Sequence, residues 1–270
     1  MKEQRPIFTI LGAVMVDIIA ILNAKGGVGK TTTAVELAYQ FGTVRKLRTL
    51  CVDLDPQSNF TSMLTGNEYH QGIYDLLINE AWVLKPSEIM KDANPNWQNV
   101  KVIPCDKRVG IIEPHLASKI GKESILKDIL KPILPAFDVI LIDLPPTINT
   151  LTVNALVAAN KYIIPTDLSE YAKAGIESVK KLADTIISKG FNPSLEFIGV
   201  LITSFQKGNA IAIKNLVEDL EKEYCEKLLN IKINDSVRVT ESQKTRIPVS
   251  SSHPELQVSQ SYKQLSEVII

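Results

Sequence analysis

Lys25-Gly26-Gly27-Val28-Gly29-Lys30-Thr31-Thr32 is the stretch of this chain whose residue types and spacing could do chemistry. Closely spaced glycines let a turn bring several backbone N–H groups to one point with no Cβ in the way. A helix opening just after it adds its positive end, and the two together cradle phosphate. Lys30 is placed to reach β- and γ-phosphates and the Thr31 hydroxyl to complete a Mg²⁺ shell, the arrangement of a nucleoside-triphosphate site. Carboxylates elsewhere could serve the same ion. Asp143 closes the run Phe137-Asp138-Val139-Ile140-Leu141-Ile142-Asp143, where it would hold Mg²⁺ through water as a hard oxygen ligand. Asp53 and Asp55 stand in Asp53-Leu54-Asp55-Pro56-Gln57-Ser58-Asn59.

These groups need elements to position them. The apolar run Ile18 to Leu22 reads as a strand feeding the loop, and Thr33 to Phe41 as the helix after it. Thr49 to Asp53 is a second short strand, stopped by Pro56 so that Asp55 sits in a loop. Phe137 to Asp143 is apolar throughout, as expected of a parallel strand buried on both faces, and Leu144-Pro145-Pro146 then forces a turn. In parallel sheets functional residues gather at the carboxyl ends of strands, where these carboxylates fall. Further along, Thr61–Leu64 and Gly72–Asn79 have helical patterns, Val100 to Pro104 looks like a strand, and Ser118 to Leu134 reads as one amphipathic helix. Then come a helix over Thr152–Ala159, strands over Tyr162–Pro165 and Phe197–Thr203, a helix to about Ser188 between those strands, a charged helix over Asn209–Leu229 and a last helix over Gln257–Ile269. Strands alternating with helices of this length imply an α/β, doubly wound, mostly parallel sheet of the P-loop type. Residues 1–16 read as an N-terminal extension of uncertain role and 17–270 as one nucleotide-binding domain.

At 270 residues and 45% hydrophobic content the chain can bury a full core. Thirty basic and thirty acidic residues cancel, so any contact with nucleic acid must come from a local patch. Cys51, Cys105 and Cys225 are scattered, odd in number and without metal spacing, which fits reduced cytosolic thiols. Lys2 and Arg5 before the apolar run Ile7 to Leu22 superficially copy a signal peptide, but Asp17 breaks the run. Cleavage or insertion there would strip the loop of its strand or strand it across a membrane, so both are rejected. Residues 1–14 are an extension, an added edge strand or the product of an upstream start.

The loop departs from G-x-x-x-x-G-K-[ST] in having Ala24 where glycine would stand, and it carries a second lysine, Lys25. With Asp-Pro-Gln after the second strand and the terminal Asp143, the chain resembles the ParA family of partition ATPases, a branch of the deviant Walker A group that includes MinD. The resemblance spans about residues 17 to 269. It implies ATP as the nucleotide and a homodimer formed on ATP binding. Lys25 would cross to the partner's nucleotide in the manner of an arginine finger, although spacing alone leaves open whose phosphates it touches. It also implies that Asp55, in switch I, positions the attacking water, that Asp53 supports the Mg²⁺ shell, and that the turn after Asp143 is switch II. The stretch Pro165 to Tyr171 with Gly175 would lie near the dimer face. Residues Asn234 to Ser242 would end near the adenine, with Asn234 and Asp235 where relatives usually have proline and basic residues. ParA relatives bind DNA non-specifically as ATP dimers and answer to a ParB-like or cargo-adaptor protein that stimulates hydrolysis. Candidates for DNA contact are Lys214, Lys222, Lys227, Arg238, Lys244 and Arg246, with Glu218, Asp219, Glu221, Glu223 and Glu226 as acidic neighbours. The place of action would be the cytoplasm, on the nucleoid.

Other classes fit less well. MinD-like membrane positioning, the alternative reading, calls for a basic amphipathic C-terminal helix. The last nine residues, Tyr262 to Ile270, hold one lysine and one glutamate, so no stable membrane insertion is expected. An iron–sulfur ATPase would need grouped cysteines. A metabolic kinase would need an acceptor pocket that no motif here supplies.

Overall fold

The computed structural model describes residues 16–79, 84–205 and 211–270. The expected N-terminal extension therefore lies, apart from Val16, outside the described residues. The strands are β1 Asp17–Ile21, β2 Thr49–Asp53, β3 Lys91–Asp92, β4 Val100–Ile103, β5 Val139–Asp143, β6 Lys161–Thr166, β7 Glu196–Phe205 and β8 Leu228–Asn234. They form one sheet in the order β3-β4-β2-β5-β1-β6-β7-β8. Every pairing is parallel except that of β3 with β4. The main helices are α1 Lys30–Ala38, α2 Asn59–Thr65, α3 Ile73–Ile78, α4 Ile125–Leu130, α5 Thr150–Ala158, α6 Ala172–Ser188, α7 Ile211–Tyr224, α8 Val237–Thr245 and α9 Gln257–Ile269.

Because successive side chains of a strand point to opposite faces, β1 contributes to two cores. Ile19 and Ile21 join Cys51, Leu141, Ile163 and Leu201 under α1, α2 and α9. Ile18, Ala20 and Leu22 join Leu50, Val52, Ile140 and Ile142 under α3 to α7. Ile19, Ile21, Leu50 and Leu141 are fully buried, and each such side chain contributes about 1.5–3 kcal/mol of transfer free energy. The chain leaves β1 toward β2 on one side and comes back to β6 on the other, so the direction of winding reverses beside β1. A crevice at the carboxyl ends of the strands opens at such a reversal.

Several elements differ from their sequence reading. The first helix starts at Lys30 rather than Thr33 and runs on as a wider turn over Tyr39–Val44. Gly42 lies against β4, where a Cβ would sit 2.3 Å from Val100 Cγ2. The single helix expected over 118–134 is broken: only Ile125–Leu130 is α-helical, followed by a tighter 3₁₀ stretch over Lys131–Ala136. Gly121 adopts a left-handed φ of 68°, and Pro132 and Pro135 remove the N–H groups a longer helix would need. The helix expected to reach Leu229 ends at Tyr224, and Leu228 and Leu229 instead open the edge strand β8.

Candidate functional site

The glycine loop joins β1 to α1. Gly27 and Gly29 hold φ of 75° and 74°, left-handed values that a side chain would strain, and Gly29 is the residue at which α1 begins. Close approach is not the reason within the protein itself: a Cβ on Gly26 would meet only Pro146, at 3.9 Å, and one on Gly27 nothing within 4 Å. Val28 is fully buried, and its carbonyl accepts a hydrogen bond from Thr203 Oγ1 at 3.0 Å, which pins the loop to β7.

Beneath the loop, Asp53 and Asp143 are register partners at the ends of neighbouring parallel strands, both fully buried. Thr31 Oγ1 donates to Asp143 Oδ2 at 2.7 Å. Burial, reinforced by Asp53, pushes the Asp143 carboxyl well above the usual range. Both oxygens of Asp53 are engaged within the chain. Its Oδ2 accepts from Thr61 N at 2.8 Å and Thr61 Oγ1 at 2.7 Å, and its Oδ1 from Asp55 N at 3.0 Å. Asp53 thus ties the segment after β2 in place, and burial raises its carboxyl to about 6. Asp55, one turn further out, lines the cleft while its Oδ1 accepts from Gln57 N at 2.9 Å.

Lys30 is buried; its Nζ donates to the Lys25 carbonyl at 2.9 Å, and burial lowers its affinity for the proton against the pull of Asp143 and Asp55. Lys25 turns aside. Its ammonium pairs with the Asp167 carboxylate and donates to Ser169 Oγ at 2.6 Å.

Gly26, Gly27, Gly29, Lys30, Thr31, Thr32 and Asp55 line one cleft of about 670 Å³, which continues past Thr203 to Ile233, Asp235, Ser236, Val239 and Gln243. The stretch expected near the base therefore does border the cleft. An oxygen-seeking cation fits beside Thr31, which lines the cleft: Asp143 Oδ2 accepts from Thr31 Oγ1, and Asp143 Oδ1 is buried without a hydrogen-bond partner. Among the described residues no three acidic, histidine or cysteine side chains form a metal cage of their own. A Mg²⁺ held here would draw its remaining ligands from water and phosphate, as this ion commonly does.

The basic candidates lie away from the cleft floor, on and beside α7 and α8, and all six are exposed. Arg238 pairs with Glu241, and Arg246 donates to the Gly66 carbonyl at 3.0 Å. Sequence reasoning missed Asn23, Thr61 and Thr203, which brace the loops without belonging to any motif, and gave Asp167 and Ser169 no individual role within the stretch it placed near the dimer face. A buried polar residue at a strand end was the one available signal for Asn23 and Thr203.

A parallel α/β sheet with a phosphate loop at the reversal beside β1 and a carboxylate on the adjoining strand defines a P-loop nucleotide-binding protein. The model of a family described as AAA domain matches residues 16–197. The sporulation initiation inhibitor protein Soj of Bacillus subtilis is 33% identical over 259 residues, covering 94% of this chain and 98% of Soj. The chromosome partitioning protein ParA of Myxococcus xanthus is 34% identical over 231 residues, covering 83% of this chain and 77% of that protein. The chain belongs to the ParA/Soj family of partitioning ATPases, and it is an ATPase. Among solved structures, apo McdA from Cyanothece superposes with a TM-score of 0.83 at 22% identity, covering 95% of this chain and all of that one. Cobyrinic acid a,c-diamide synthase from Mycobacterium smegmatis with bound ADP and magnesium gives 0.79 at 24%, covering 94% and 93%. Those two likenesses concern the fold.

Proposed function

We propose that this ATPase moves or positions a cargo by cycling between a monomer and an ATP-bound dimer. ATP would bind at the loop with its base toward Ile233–Ser236, and Thr31 and, through water, Asp143 would hold Mg²⁺, with Asp53 bracing the loop behind them. When bound, the ion would supply positive charge against the phosphates. Lys30 binds the phosphates, Asp55 orients the attacking water, and Lys25 completes the pocket of the second subunit.

The observation that carries this reading is the Asp143 carboxylate beside the start of α1: Thr31 Oγ1 donates to its Oδ2, and its buried Oδ1 has no hydrogen-bond partner. The dimer is supported by the rim. Ile111, Ile148 and Tyr171 are exposed apolar side chains on segments that flank the loop. A Cβ on Gly110 would stand 3.5 Å from Pro56 and one on Gly26 3.9 Å from Pro146, and Thr150 Oγ1 donates to Glu113 Oε2. Apolar groups concentrated around one polar cleft are what a second copy would cover.

The dimer binds DNA without regard to sequence, through Lys214, Lys222, Lys227 and Lys244, with Arg238 and Arg246 in reserve. A ParB-like or cargo-adaptor protein accelerates hydrolysis and releases it, in the cytoplasm over the nucleoid. The C-terminal helix argues against the membrane alternative. Val258, Tyr262, Leu265 and Ile269 of α9 are buried in the core shared with α1, so its apolar face is already used. Among the described residues no helix is long and apolar enough to cross a membrane.

The test is Asp55→Ala with ATP and Mg²⁺. Turnover should fall about 10²–10⁴-fold while nucleotide binding is retained, and sedimentation should give a lasting dimer that holds DNA. A variant that hydrolyses ATP normally, or stays monomeric at saturating ATP, would sink this reading. Lys244→Ala should flatten the slope of log affinity for DNA against log salt by about two, about one for each subunit of the dimer.

A further inference from the structure

The Lys25 side chain is not free in its own subunit. Its ammonium pairs with Asp167 and donates to Ser169 Oγ at 2.6 Å, and Ser169 Oγ in turn donates to Asp167 Oδ1 at 2.9 Å, which closes a ring of three polar groups. The backbone is tied to the same place: Lys25 N donates to Asn23 Oδ1 at 3.0 Å, and Asn23 Nδ2 to the Pro165 carbonyl at 2.8 Å. Lys25 and Asp167 are each only about a quarter exposed, at 26% and 28%. An ammonium with three donors thus has two of them committed to the turn between β6 and α6.

The geometry points to a latch within the subunit: Asp167 and Ser169 are positioning residues that hold Lys25 at home, and dimerisation requires Lys25 to exchange them for the phosphates of the second subunit. The inference rests on the dimer reading above. A carboxylate and a triphosphate compete for the same cation, so the lysine serves one or the other. A subunit with the latch closed is not competent to reach across, and apparent affinity falls by the fraction that is competent. A partly exposed ion pair favours the closed form by about threefold. Two latches must open per dimer, so the factor on the dimer constant is about tenfold. The turn carrying Asp167 also carries exposed Tyr171, so release of the lysine and reshaping of the rim would occur in one segment.

The test compares the full chain with Asp167→Asn and Ser169→Ala, at saturating AMPPNP and Mg²⁺. Sedimentation equilibrium should show Asp167→Asn tightening the dimer about tenfold and Ser169→Ala by less. Binding of a fluorescent AMPPNP analogue, below the concentration at which dimers form, should change less than twofold. In the nucleotide-free monomer, pulse acetylation read by mass spectrometry should modify Lys25 about three times faster in Asp167→Asn, and Asp167→Glu should restore the parent rate. An unchanged or weaker dimer in both variants, or an unchanged Lys25 labelling rate, overturns the latch. If the parent itself never dimerises, the dimer reading fails and takes the latch with it. A parent that dimerises with variants that match it overturns the latch alone.

Discussion

Thr31 Oγ1 and Asp143 Oδ2 lie 2.7 Å apart, and the other oxygen of that carboxylate, fully enclosed, has no partner. The pair joins the first residues of α1 to the end of β5, two elements 112 positions apart in the chain. A carboxylate so buried beside Asp53 is costly, and under the proposed reading a cation that it helps to hold would offset that cost.

Asp143→Asn should therefore separate metal from nucleotide. The amide keeps the shape and loses the charge, so Mg²⁺ affinity measured by titration should fall about 10–100-fold, the range for groups that act on a metal through a second layer. Metal-free ADP should bind as before. In metal-free buffer the variant should be at least as stable to urea as the parent, because burial no longer opposes a charge next to Asp53. A variant markedly less stable without metal would assign Asp143 to structure.

Gly175 tests how the loop is braced. A Cβ there would stand 2.5 Å from Asn23 Oδ1, the atom that accepts from Lys25 N. Gly175→Ala should cost about 1–3 kcal/mol in chemical denaturation, as overpacking commonly does, and should weaken nucleotide binding by disturbing the turn. An unperturbed variant would mean that α6 can shift without cost to the loop.

Glu36 provides a pH signature from within α1. It is buried in α1, where its two oxygens accept from Val249 N at 2.7 Å and Ser250 N at 3.1 Å, and burial raises its carboxyl above the usual 4.5. Below the unfolded value both forms carry the proton; as pH climbs through the folded value the native state must bury a charge. The contribution is thus present in acid and lost as pH rises above about 4.5 through the raised folded value. Urea titrations at stepped pH should show a decline in stability over that window. Glu36→Gln should remove it, at a constant cost of about 1 kcal/mol for one lost acceptor. A parent and variant with parallel profiles would place the titration elsewhere.

Much of this molecule was legible in one dimension because its signals are local. Strand, glycine turn and helix are contiguous, and the apolar run ending in Asp143 is a strand with every residue buried. The last helix was read to the residue, Gln257–Ile269, since its periodicity runs uninterrupted from first turn to last. The stretch 118–134 misled because its apolar spacing is helical while Gly121, Pro132 and Pro135 break the backbone beneath it. The short strand Lys91–Asp92 carries no pattern of its own and exists because β4 offers it an edge.

What the amino-acid order determined alone was the chemistry available: a phosphate loop with two lysines, a hydroxyl for an ion, carboxylates at strand ends, and membership of a sheet wound about them. Folding decided how those groups are used. Asp53 bonds Thr61 and the backbone of Asp55, Thr203 reaches back to Val28 across 175 positions, and Lys25 is held by Asp167 and Ser169, 142 and 144 positions away. A residue's type and neighbours set what it can donate or accept, but its partner is whatever the sheet order brings within 3 Å, and that order is a property of the whole chain.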